Sequence, residues 1–402
     1  MPTAHTPILA VLLAACIASA GCAQSGNDAP DPTDVPAFQI RDGYAVDLVV
    51  DGFRGARFMQ LGDDGTLYIS RPRQEDIVAF TPNDNGTYSQ QGTFVDDRKL
   101  VHGMHFVDGW LYFASDGLIE RARDTNGDGT ADQVETVITD LPDGGGHWWR
   151  PVLVTDTHIY TSIGDGGNIS DQQDTDRQKI WRFNRDGSGR TLFASGVRNT
   201  EKLRLRPGTD EVWGFDHGSD NFGARIGDKP GNQPITDLNP PDELNHYRQG
   251  HFYGHPFVTG LRVPRYEFLD REDIHELAAN TTPPEWSMGA HWACNGWTFI
   301  DPDINAATGA FPADFGGDIV VAAHGSWNSS VRVGYTVARV EFDDDPINPG
   351  KPVGMTPLVS CLSSSGEILG RPVDVIHHPD GSLLFSVDAP AGRVYRLRYV
   401  GD

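Results

Sequence analysis

This chain of 402 residues is poor in cysteine and in basic side chains, and it lacks any apolar run long enough to cross a membrane. It has 4 cysteines, and its 32 Lys and Arg stand against 56 Asp and Glu, a formal net charge of −24. That acid excess excludes a nucleic-acid partner, which would need a basic face. The apolar stretch Ile8 to Ala20 is only thirteen residues long, short of the roughly twenty a spanning helix requires. Long amphipathic helices are missing too; beyond the N-terminus the best helix candidate is the short segment Arg271 to Ala279. What the chain does have is glycine, at 46, and proline, at 27, with a 38% hydrophobic fraction. That mixture suits many short strands joined by tight turns around a core, and it opposes wholesale disorder.

The apolar stretch ends in Ser19-Ala20-Gly21-Cys22, small residues ahead of a cysteine, the pattern of a bacterial lipoprotein signal. We expect residues 1–21 to be that signal, Cys22 to carry lipid, and residues 22–40 to be a flexible tether. Plain secretion is the alternative. Either way the protein is exported, to the periplasm or cell envelope, and meets the membrane only through its anchor. With Cys16 removed and Cys22 lipidated, Cys294 and Cys361 remain. In an oxidising compartment a disulfide between them and two free thiols are both open.

Turn signals followed by β-branched and aromatic residues recur along the rest of the chain. Asp64-Gly65 precedes Thr66-Leu67-Tyr68-Ile69, and Asp108-Gly109 precedes Trp110-Leu111-Tyr112-Phe113. Further copies are His158-Ile159-Tyr160-Thr161, Glu211-Val212-Trp213-Gly214, Gly317-Asp318-Ile319-Val320-Val321 and Asp380-Gly381-Ser382-Leu383-Leu384-Phe385. The early copies lie roughly 44 to 53 residues apart, about one four-stranded propeller blade. Six copies predict an all-β, six-bladed β-propeller over residues 41–402, with an insertion between 214 and 318. Functional residues are then expected on loops at one mouth of the central channel.

Two stretches carry candidate chemistry. Asp143-Gly144-Gly145-Gly146-His147 leaves backbone room beside a histidine, which can act as general base. Asp124, Asn126, Asp128, Thr130, Asp132 and Glu135 occupy positions 1, 3, 5, 7, 9 and 12 of a loop with Gly129 at position 6. That spacing predicts a structural calcium site between strands; an Asx-rich hairpin without metal is the alternative.

Gly-Gly-His, followed by a strand and Ile163-Gly164-Asp165, resembles the catalytic-histidine segment of the pyrroloquinoline quinone (PQQ)-dependent glucose/sorbosone dehydrogenases. Ser195-Gly196-Val197-Arg198-Asn199, Phe215-Asp216-His217-Gly218-Ser219, Pro241-Asp242-Glu243-Leu244-Asn245 and Tyr253-Gly254-His255-Pro256 follow in that family's order. Ala323-His324-Gly325-Ser326-Trp327-Asn328 and Gly370-Arg371-Pro372-Val373-Asp374-Val375 are most similar to its sorbosone branch. The resemblance covers roughly residues 45 to 400. It implies that His147 takes a proton from the substrate hydroxyl while hydride passes to the quinone, with Asp165 supporting His147 or the substrate. Arg198, Asn199 and Arg371 would hold the quinone, a planar tricarboxylate that guanidinium groups match. The carbonyls of Gly218 and Ser219 would hold a calcium ion acting as Lewis acid, and Glu243 with the Tyr253 carbonyl would form a further metal site. The family's later lysine and second arginine are absent; Ser326 and Val373 stand near those places, and His324 and Trp327 are the candidate substitutes. The implied substrate is a sugar, sugar aldehyde or polyol, and the electrons leave to an external acceptor, a cytochrome or the quinone pool. A calcium-dependent lactonase-like hydrolase and a non-catalytic carbohydrate- or protein-binding propeller are the competing classes.

Overall fold

The computed structural model describes residues 29–223, 234–343 and 350–401. The expected signal, residues 1–21, and Cys22 lie outside the described residues. Six sheets surround an axis, each built on four antiparallel strands. Their innermost strands are Met59–Leu61, Met104–Val107, Leu153–Val154, Leu203–Leu205, Cys294–Phe299 and Pro372–His377. In every blade the chain runs outward from the axis. The sixth is completed by an N-terminal strand, Tyr44–Phe53, which pairs with Gly392–Tyr399. That pairing ties the two ends of the domain together and closes the ring without a free sheet edge at the seam.

All six turn-and-strand motifs of the sequence fall on the second strand of a blade. Asp108 and Gly109 both have positive φ, 51° and 72°, the two-residue turn that joins twisted antiparallel strands without splaying them. The second strands also show how the core is divided. Leu67 and Ile69 pack toward blade six, whereas Tyr68 between them packs toward blade two. Successive side chains on a strand point to opposite faces, so each sheet is apolar on both. The result is six separate hydrophobic clusters, one between each pair of neighbouring blades.

One expectation changes, one holds, and one open alternative is decided. The expected tether reaches only into the residues before the fold: Phe38 is buried in the core between blades five and six, and Gln39–Ile40 pairs with Lys351–Ser360. The folded unit therefore starts ahead of residue 41. The expected insertion is present, and part of it, His251–Phe252, adds a fifth strand to blade three; its helix is Ile274–Asn280. No disulfide forms, since Cys294 and Cys361 are both free and buried. Cys294 pairs with Ala323, Ala323 with Thr336, and Thr336 with Ser360, the neighbour of Cys361. Three strand spacings of about 4.8 Å amount to about 14 Å, twice the roughly 7 Å that a disulfide tolerates between Cα atoms.

Candidate active site

Antiparallel pairing brings the start of each innermost strand and the end of each second strand to the same rim of the ring. Arg57, His102, Arg198, Glu201 and Arg371 lie just before or at innermost strands, and His217, His324 and Asp388 just after second strands. Much of this set converges on a cleft of about 230 Å³ lined by His147, Arg198, Asn199, Gly218, His324 and Trp327, together with Arg57, Trp149, Glu201 and Asp220. Residues from blades one, three, four and five thus meet around one space.

His147 Nδ1 lies 2.8 Å from the main-chain carbonyl of Asp165. A carbonyl can only accept, so Nδ1 carries the hydrogen and Nε2 keeps the lone pair. Burial, with the nearby Arg198 charge, pushes the imidazole pKa down to about 3. The ring is therefore neutral across the ordinary pH range, in the tautomer a general base needs. Asp165 supports His147 through this carbonyl, not through its carboxylate. The carboxylate is fully buried and ties up His255 Nε2 at 2.7 Å, Gln178 Nε2 at 3.1 Å and the amides of Gly167 and Ser170. It does not line the cleft.

Arg198 is held as firmly. Its Nε donates to the Asn168 carbonyl at 2.9 Å, Nη1 to the Gly218 carbonyl at 2.8 Å, and Nη2 to Asn168 Oδ1 at 2.8 Å and Asp220 at 3.2 Å. With its donors committed, Arg198 contributes positive charge and braces the Gly218 turn; a bidentate clamp on a ligand would require these bonds to exchange. Arg371 behaves similarly, donating to the carbonyls of His324 and Gly325 at 3.1 and 2.7 Å. It lines an adjoining groove, and that groove shares Arg57, Trp149 and His324 with the cleft. Trp327 stands at the cleft rim, 72% exposed.

Sequence reasoning missed the charged chain beneath the cleft. Arg57 bonds Glu201 at 3.0 Å and Asp388 at 3.2 Å, and its guanidinium lies 4.4 Å from the Trp149 ring. Glu201 also faces His102 at 3.6 Å, while Asp388 accepts from His324 Nε2 at 3.1 Å. These partners overcome burial and keep both carboxyls ionised: Glu201 falls well below the usual range and Asp388 to about 2. One signal was readable. Gly55-Ala56-Arg57 repeats, one blade boundary away from the axis seam, the Gly196-Val197-Arg198 pattern ahead of an innermost strand.

The proposed metal ligands divide. Gly218, Ser219, Glu243 and Tyr253 do come together around one small polar cavity, shared with Arg265. Burial, with Asp216 nearby, raises Glu243 to about 8. The Ser219 hydroxyl accepts from Arg265 at 2.6 Å. The loop from Asp124 closes on itself instead. Asp124 accepts from the amides of Asn126, Gly127 and Gly129, Asn126 from that of Asp128, Asp128 from that of Thr130, and Asp132 from Thr125. Glu135 is on the strand Gln133–Ile138 and pairs with Arg121 at 2.6 Å, so the twelfth-position ligand is spent elsewhere. Among the described residues no group of three or more His, Cys, Asp or Glu is arranged to hold a metal ion. The loop has the local Asx-turn geometry, and a calcium ion on its remaining oxygens stays a proposal.

A family model described as TrAA12-like matches residues 38–399. Among solved structures, the chain is similar to the holo form of the pyranose dehydrogenase PQQ domain from Coprinopsis cinerea. The two are 18% identical with a TM-score of 0.73, covering 92% of this chain and 98% of that one. It is also similar to a calcium structure of a Trichoderma reesei carbohydrate-active enzyme of family AA12, again 18% identical, TM-score 0.72, covering 94% and 99%. An uncharacterised protein of Borreliella burgdorferi is 29% identical over 219 residues, 52% of this chain and 48% of that protein. The match spans about half the length of this relative.

Proposed function

The chain belongs to the TrAA12-like family, and from that premise we propose that it is a quinoprotein dehydrogenase that oxidises a sugar, sugar aldehyde or polyol with PQQ and calcium. The observation that carries this reading is the placement of a half-buried, tautomer-fixed His147 on the same cleft as Arg198, Asn199, Arg57 and His324. The donor set suits the cofactor. Asn199 Oδ1 is buried without a hydrogen-bond partner, an unmet acceptor that a ligand would satisfy. The guanidinium groups around the cleft give a field suited to a tricarboxylate. The Gly218 carbonyl, with Asp220 and Asp242 on the same lining, offers the oxygen ligands that a hard cation takes, and the Ser219 carbonyl would join them.

The bound quinone would supply a carbonyl that accepts two electrons as hydride. The protein's part is separate and falls mainly to His147, whose Nε2 lone pair receives the substrate's hydroxyl proton. The Asp165 carbonyl keeps the ring from rotating and stabilises the imidazolium that forms. Arg57, held between Glu201 and Asp388, fixes the wall formed by Trp149 and His324. Substrate choice within the family, the sorbosone-like branch and a cytochrome or quinone-pool acceptor belong to this proposal, as do export to the periplasm or envelope and lipidation at Cys22. Titration of the purified, calcium-loaded protein with PQQ tests it: saturable binding with gain of dye-linked sugar oxidation is expected, and neither event occurring would sink the reading.

A further inference from the structure

Beside the cleft lies a wider groove of about 830 Å³, lined by Arg54, Arg57, Arg73 and Arg371 and sharing the wall of Trp149 and His324 with the cleft. Among the described residues the carboxylates on its lining are Asp51 and Asp388. Both are already engaged, Asp51 by Arg393 at 3.1 Å and Asp388 by Arg57 and His324. Arg54 and Arg73 are exposed and have no hydrogen bond or ion pair among the described residues. With Arg57 balanced by Glu201 and Asp388, Arg54, Arg73 and Arg371 are left without a carboxylate partner among the described residues, which makes a basic groove in a chain whose net charge is −24. Its volume falls in the range of about 300–1,000 Å³ typical of small-molecule sites, whereas a protein partner would need a broad face.

We propose that this groove selects anionic saccharides, sugars bearing a uronate carboxylate, with Arg54 and Arg73 holding the carboxylate and the oxidised carbon reaching the cleft. This rests on the dehydrogenase reading. The carboxylate is a spectator: the substrate loses hydride to the quinone and a proton to His147, and the acid group is unchanged. The positive field concentrates an anionic ligand in the groove and pairs it with two guanidinium groups that have no other partner among the described residues.

The test uses the full chain and the matched pairs glucuronate with glucose and galacturonate with galactose. Calorimetry without quinone should show the acid of a pair binding roughly tenfold tighter than its neutral partner, with the preference lost in Arg54→Gln/Arg73→Gln. About 0.5 M salt should erode it too, because these charges are solvent-facing. In the quinone-loaded protein KM for the acid should rise in the double variant while kcat holds. Quinone affinity should stay within about threefold of wild type, since neither arginine lines the cleft. Equal binding of acid and neutral sugars overturns the proposal. Weakened quinone binding in the double variant also does, by giving the groove to the cofactor. So does slower electron delivery to an acidic protein acceptor with sugar preference unchanged, which would make the groove a docking face. A binding preference that survives while no sugar is oxidised supports the groove and sinks the dehydrogenase reading instead.

Discussion

Two clusters of charge stood out in this molecule, and they meet opposite fates. The loop from Asp124 to Asp132 is exposed, and its oxygens are consumed by amides and hydroxyls a few residues away. The set His102, Glu201, Arg57, Asp388 and His324 is buried and assembled from blades one, two, four, five and six. The first cluster looked the more convincing in sequence because its spacing matched a ligand pattern. Spacing along a chain fixes only which atoms could converge; here the oxygens meet nearby amides through Asx turns, which cost no long-range ordering. The second cluster has no sequence spacing at all. It exists because a closed ring of blades brings distant residues to one rim, where burial makes each charge depend on its partners.

The largest effect expected on the cleft side is chemical. Replacing His147 by Ala should cost roughly 10²–10⁴-fold in turnover while PQQ titration curves remain near wild type; a variant that keeps its activity would remove His147 from the reaction. Next is stability. Glu201→Gln leaves Arg57 underneutralised in a buried site and should cost about 3 kcal/mol or more, seen as a lower denaturant midpoint. A loss below about 1 kcal/mol would mean the buried chain is no different in kind from a surface pair.

Acid should separate the two regions further. His105 and His147 are both held near a pKa of about 3 by burial, against about 6.5 in the unfolded chain. The unfolded state thus binds protons that the folded state refuses. Their stabilising contribution is complete above about pH 6.5 and falls away as pH drops toward 3. Denaturant melts from pH 7 to pH 4 should show that decline, and Asp128→Ala should shift every point equally, if at all. The pH profile of turnover should also lack an acid limb near 6.5 from His147. The smallest effect is expected at the loop itself: Asp128→Ala should change stability by less than about 1 kcal/mol, and chelating calcium should not move the melt through this loop. A chelation shift lost in that variant would restore the metal site.

How far the sequence could be read depends on the kind of residue. The six second strands announced themselves because turn chemistry and alternating burial are local properties, so Asp108-Gly109 before Trp110-Leu111-Tyr112-Phe113 could be read in isolation. His147, Arg198 and Asn199 were also legible, since glycines and an ordered series of motifs mark them. Asp165 was picked out as a support for His147, but the atom was not legible: the sequence shows a carboxylate, and the contact is made by the carbonyl. Of the two alternatives left open for Cys294 and Cys361 the structure shows free thiols, because strand order within blade five, not their number, sets the distance.

Local patterning alone thus determined that this chain makes repeated antiparallel hairpins with two apolar faces, enough of them for six blades, and that a histidine sits on a glycine-rich loop. Which charges share a space was decided only when the ring closed. Arg57 meets Glu201 across 144 residues and Asp388 across 331, and the unpartnered arginines of the groove are defined by what failed to come near them. Closure is a long-range event driven by six interblade cores, and no short stretch of sequence contains that information.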